Sequence, residues 1–180
     1  MALDGGFRLR GIPQTSELLT TGNVYFVSSV TGSSGNSGES IAAPLATLDQ
    51  ATNKCTANQH DIVYILPNHA ETISSATSWV PDIAGVQYIG IGVGTDAPEL
   101  TFSATASRIP VSAANVTFKN IHFVAGISAI VEGVSVTGDY FTMENCKFKF
   151  STTAYDFISM LDLDTAHHAV IRNNHFIAEN

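Results

Sequence analysis

One eight-residue pattern occurs three times in this chain, and it constrains the fold more than any other feature. Val116-Thr-Phe-Lys-Asn-Ile-His-Phe123 returns as Phe141-Thr-Met-Glu-Asn-Cys-Lys-Phe148 and again as Ala169-Val-Ile-Arg-Asn-Asn-His-Phe176. Phe118, Met143 and Ile171 correspond; so do Asn120, Asn145 and Asn173, and then Phe123, Phe148 and Phe176. The spacing is 25 residues, then 28. A period of this size marks a solenoid, in which each unit buries its apolar face only by stacking on its neighbours.

The pattern within a copy selects the kind of solenoid. Val116 and Phe118 alternate with Thr117, as strand residues facing a core do. Lys119-Asn120 breaks the alternation, and Ile121 and Phe123 resume it around His122. Asn tolerates the left-handed backbone region, so the chain bends there while both flanks keep pointing to one interior. Apolar spacings of three and four, which a helical repeat needs, are missing. A second series, Ile109/Val111, Val134/Val136 and Leu161/Leu163, runs at spacings of 25 and 27. Each repeat therefore holds about three short strands, one rung of a parallel β-helix. Stacking predicts a ladder of Asn120, Asn145 and Asn173 whose side chains hydrogen-bond along the axis, a column of Phe123, Phe148 and Phe176, and an outer column of alternating charge, Lys119, Glu144 and Arg172.

These rungs resemble those of right-handed parallel β-helix proteins of the pectin-lyase-like kind. Asn23-Val-Tyr-Phe-Val27, the Gly/Ser loop after it, Ala43 to Ala51 and Asp61-Ile-Val-Tyr-Ile-Leu-Pro67 resemble the N-terminal cap of that family. The resemblance covers roughly residues 23–180 and implies an all-β, right-handed parallel β-helix with a capping α-helix at about 44–57 and an extended arm at 1–22. The fold carries lyases, hydrolases, tailspikes and inert virion proteins alike. With its short arm the chain looks most like structural proteins of tailed phages, which implies a virion protein, of head or tail, made in the host cytoplasm and often trimeric.

Composition bounds the rest. Only 13% of residues are charged, and the net charge is −8 with eight Lys and Arg in all. A nucleic-acid partner wants clustered positive charge, so none is expected. The N-terminus lacks the charged-then-apolar order of a signal peptide, and no stretch is apolar over the roughly 18 residues a membrane span needs. Cys55 and Cys146 read as small buried groups, with no disulfide framework or zinc spacing. In the arm, Phe7, Arg8, Leu9, Arg10 and Ile12 form an apolar and cationic segment that a neighbouring virion protein or a second copy of the chain would bury.

Pro44 suits a first helical position, and Leu45, Leu48, Thr52 and Cys55 share one stripe. A helix there would cover the open end of the first rung. Tyr64, Tyr88 and Phe118 read as one column. Gly90-Ile-Gly-Val-Gly94 is followed by the turn Thr95-Asp-Ala-Pro98 rather than a helix, so it marks a bend and not a dinucleotide site. Gly32 to Gly38 lacks the ending of a P-loop. Trp79 falls in a connection between rungs.

Few residues suggest chemistry. Asp162 and Asp164 flank Leu163 on one strand, about 7 Å apart, a spacing that suits a glycosidic carboxylate pair or a calcium site. A solvated face is the plainer reading. His69 and Glu71 lack a third metal partner, and the adjacent His167 and His168 would face opposite sides. No catalytic, cofactor or metal residue is assigned. The expected function is a non-enzymatic structural protein; the alternative is a tailspike-like depolymerase, lyase or glycosidase, binding a host-surface glycan.

Overall fold

The computed structural model describes residues 8–9, 12–13 and 20–178. In the arm, β1 (Arg8–Leu9) and β2 (Ile12–Pro13) pair antiparallel, Leu9 opposite Ile12. That is a small hairpin, where an extended arm was expected. Phe7 and Arg10 lie outside the described residues.

Three parallel sheets wind around one core. The first stacks β3 (Val24–Val27), β4 (Ile62–Ile65), β6 (Gln87–Gly90), β9 (Thr117–Lys119), β12 (Thr142–Glu144) and β15 (Val170–Arg172). The second stacks β5 (Ala70–Ile73), β7 (Glu99–Phe102), β10 (His122–Ala125), β13 (Lys147–Phe150) and β16 (His175–Phe176). The third holds β8 (Ile109–Val111), β11 (Ile130–Val136) and β14 (Phe157–Asp162). Strands β6 to β8, β9 to β11 and β12 to β14 are complete rungs. The chain is a parallel β-helix.

Register follows the repeat. Phe118 pairs with Met143, Phe123 with Phe148 and Val134 with Leu161. Phe123 and Phe148 stack at 4.7 Å, and Phe148 and Phe176 at 5.2 Å. Asn120, Asn145 and Asn173 all sit in the left-handed region, at φ 53°, 53° and 57°. The axial bond of Asn120 goes to backbone: its Nδ2 donates to the carbonyls of Gly90 and Gly92, both at 2.9 Å. Among the described residues no hydrogen bond joins one of these three Asn side chains to the next, so the ladder is one of backbone conformation rather than of linked amides. Position 90 must be glycine, because a Cβ there would lie 2.0 Å from the Asn120 carbonyl oxygen.

Two sequence expectations shift. The helix, α1, spans only Leu48–Thr52. Thr47 is the N-cap, accepting from the Gln50 amide at 3.3 Å. Pro44 lies before it in a loop, where its carbonyl accepts from Ser33 and Asn36. That loop closes the edge of β3: Phe26 donates to Gly38, Ser28 donates to Leu45, and Leu45 donates to Phe26. Tyr64 is also displaced, since Tyr88 pairs with Val63. Tyr64 therefore faces outward and stacks on Phe26 at 5.6 Å, as a one-residue shift of register requires.

The N-terminal end is plugged. The Thr52 hydroxyl donates to the Leu48 carbonyl and receives the Trp79 Nε1–H at 3.0 Å and the Tyr88 hydroxyl at 2.8 Å. Trp79 is fully buried and packs on Tyr88 and Phe118, with centroids 5.0 and 5.2 Å away. The connection that carries it folds back into the core.

Candidate functional site

Outward positions of the second sheet gather the most reactive side chains. In register, Glu99 of β7 lies beside His122 of β10, then Lys147 of β13, then His175 of β16. Phe123 and Phe148 fix this by pointing inward, which turns their neighbours out. Lys149 of β13 reaches across β10 to pair with the Glu99 carboxylate. His122 Nδ1 lies 3.6 Å from the same carboxylate, beyond hydrogen-bonding distance, and is buried without a partner. Burial, and then the positive charge of Lys149, hold His122 below its ordinary histidine value against the pull of Glu99. The row offers a carboxylate, an imidazole kept neutral and two ammonium groups on one face. It could bind an anion or move a proton. Sequence reading did not single out this row; Glu99, 23 residues before His122, falls outside the repeated octet.

The other candidates stay apart. Asp162 ends β14 and faces outward, because its register partner Ser135 lies between the inward Val134 and Val136. Asp164 is exposed on the bend beyond. Among the described residues neither carboxylate makes an ion pair or a side-chain hydrogen bond. His69 is fully buried. Its Nδ1 accepts from the Ser29 amide at 2.9 Å, and its Nε2 lies 3.1 Å from Glu71 Oε2, which also accepts from the Leu48 amide at the start of α1. His69 and Glu71 thus join the cap to the second rung. His167 pairs with Asp139, through its amide at 2.9 Å and Nδ1 at 3.0 Å, while His168 stacks on Tyr140 at 5.0 Å. These contacts hold the Asp139 carboxyl below its usual range, the His167 amide foremost. Cys146 and Cys55 are thiols that burial pushes up to about 12.

Several outer charges bridge rungs. Glu144 Oε2 lies 2.9 Å from Arg172 and 3.3 Å from Lys119, the alternating column foreseen from sequence. Arg108 and Glu132 pair at 3.3 Å across β8 and β11. Two shallow depressions, about 150 and 90 Å³, lie beside Arg108 and between Phe157 and Ile177; ligand pockets run to about 300–1,000 Å³. Among the described residues no three His, Cys, Asp or Glu cluster as metal ligands would.

The fold is that of a parallel β-helix. A solved rhamnogalacturonan lyase is similar, with a TM-score of 0.53 and 17% identity over 78% of this chain. This chain spans 38% of the length of that lyase. At such identity the likeness shows the fold alone. No protein-family model matches the chain, nor does any curated protein sequence.

Proposed function

We propose that this chain is a non-enzymatic structural β-helix, a component of a tailed-phage virion at head or tail. The carrying observation is how its outer charges are used. Lys119–Glu144–Arg172 and Arg108–Glu132 pair across neighbouring rungs, and Glu99–Lys149 spans one rung more. Such charges stiffen a stack rather than converge on a cleft. The resemblance adds synthesis in the host cytoplasm, a homotrimer, and attachment to other virion proteins through the arm. Incubation with acidic and neutral polysaccharides should release no reducing ends or unsaturated products. Reproducible turnover that Asp162→Asn abolishes overturns the reading, as does failure to co-purify with particles.

A second reading has its own support. The similar solved structure is a polysaccharide lyase, and Glu99, His122, Lys147 and Lys149 line one outer face. On this reading the face grips an acidic surface glycan and the protein is a depolymerase. His122→Ala should then remove turnover while leaving the melting temperature nearly unchanged; turnover that survives His122→Ala excludes it.

A further inference from the structure

The outer face of the second sheet is positive where the chain as a whole is negative. Its outward positions are Glu99 and Thr101 on β7, His122 and Val124 on β10, and Lys147 and Lys149 on β13. In a chain of net charge −8, this face sets two ammonium groups against one carboxylate. Among the described residues Lys147 has no ion pair, so one positive charge is left over. Lys147 and Lys149 stand two residues apart on one strand, about 7 Å along it. These three strands lie inside the sheet, with β5 on one side and β16 on the other.

A titratable ring sits among these charges. His122 Nδ1 lies 3.6 Å from Glu99 Oε1, the same oxygen that Lys149 holds. Nδ1 is buried without a hydrogen-bond partner, and the side chain is 13% exposed. The charged groups that act on it are Lys149 and Lys147 of β13 and Glu99 of β7. In the neutral ring Nδ1 is a buried polar atom left unsatisfied, which costs free energy. A proton on the ring gives Nδ1 a hydrogen to donate, with Glu99 Oε1 as its acceptor. That oxygen then serves two cations, and its hold on Lys149 loosens. Burial and Lys149 lower the His122 pKa, so the ring charges below the ordinary histidine value of about 6.5.

We propose that this face is an acid-strengthened binding site for an acidic polysaccharide, with Lys147 and Lys149 as anion anchors and His122 as the proton switch. Neither shallow depression of the surface lies on it. A flat run of strands suits an extended polymer laid across them rather than an enclosed small ligand. Two ammonium groups with no aromatic ring beside them are too few for a nucleic acid, which wants clustered charge and stacking. The inference rests on the second reading above and adds the condition under which that face binds; it requires no turnover. Binding and protonation are then reciprocal, so the polymer draws a proton onto the protein.

Calorimetry on the full chain tests it, with dextran sulfate, polygalacturonate and neutral dextran, at about pH 7.5 and about pH 5.5, on either side of the histidine range. Both acidic polymers should bind about tenfold more tightly at the lower pH, with proton uptake, and neutral dextran at neither. His122→Gln should lose most of that gain, and Lys147→Gln with Lys149→Gln should lose binding at both. Glu99→Gln should bind at the higher pH as tightly as wild type does at the lower, a gain that misfolding cannot produce. Wild-type binding that ignores pH, or a gain that persists in His122→Gln, overturns the switch and leaves the second reading standing. Binding of neither acidic polymer at either pH overturns both. Tighter binding of single-stranded DNA than of dextran sulfate overturns the ligand class.

Discussion

The first and last described rungs of this solenoid are built differently. At the N-terminal end a loop bonds to the edge of β3, and α1, Trp79 and Tyr88 close the bore around one hydroxyl. In the last described rung the top ring of the Phe column, Phe176, is 43% exposed. Trp79 is wholly enclosed. Identical chemistry, an aromatic ring over a stack of aromatic rings, therefore stabilises the two rungs unequally.

Truncation makes the inequality measurable. Trp79→Ala should cost about 3–5 kcal/mol by loss of burial and a cavity against Phe118. Phe176→Ala should cost about 1 kcal/mol, because much of that ring is already in water. Equal losses in chemical denaturation would break the comparison. Thr52→Val sharpens it at the plugged end. The variant keeps the shape but leaves the Trp79 N–H and the Tyr88 hydroxyl without their acceptor, for about 1–3 kcal/mol. A melting curve matching wild type would show that water enters the bore.

The middle rungs set the scale between the ends. Asn145 holds φ 53°, so Asn145→Leu should cost about 1–2 kcal/mol in backbone strain, while Asn145→Gly should cost much less. Equal costs would mean that the side chain, and not the bend, is what matters. Smallest is Glu144→Gln. Its carboxyl is held below the usual range by the Arg172 hydrogen bond foremost, then by Lys119, against opposing burial. A depressed pKa adds stability above the unfolded value, about 4.3, and loses it as pH falls through the folded one. Wild type should therefore exceed Glu144→Gln by a few tenths of a kcal/mol at pH 7, the gap closing in acid.

The central fold was legible because stacking writes itself into sequence. Phe123, Phe148 and Phe176 must coincide in space, so they coincide in spacing. The plug repeats nothing and left little trace. Pro44 mimicked a helix start, but Thr47 made the cap. Tyr64 sat near the right spacing, yet Tyr88 pairs with Val63. A second set of left-handed residues, Asn115, Tyr140 and His168 at φ 58°, 59° and 58°, was hidden because Tyr and His do not signal that conformation. The Glu99 and His122 row was hidden too, since strands from different parts of a rung bring it together.

Those two left-handed sets have a consequence for how this chain can change length. Asn115 and Asn120, Tyr140 and Asn145, and His168 and Asn173 bracket β9, β12 and β15. That side of these three rungs is a ruler of fixed length. The period nevertheless grows: Phe123 to Phe148 is 25 residues, Ile130 to Phe157 is 27, and Tyr140 to His168 is 28. Two added residues fall between β13 and β14, and one falls after Leu161. The extra residues thus lie at the corners flanking the third sheet, where bends are free of register. New loops grafted between Ser151 and Asp156 would be carried outward without disturbing the stack, whereas a single residue added between Tyr140 and Asn145 would shift Phe148 off its column.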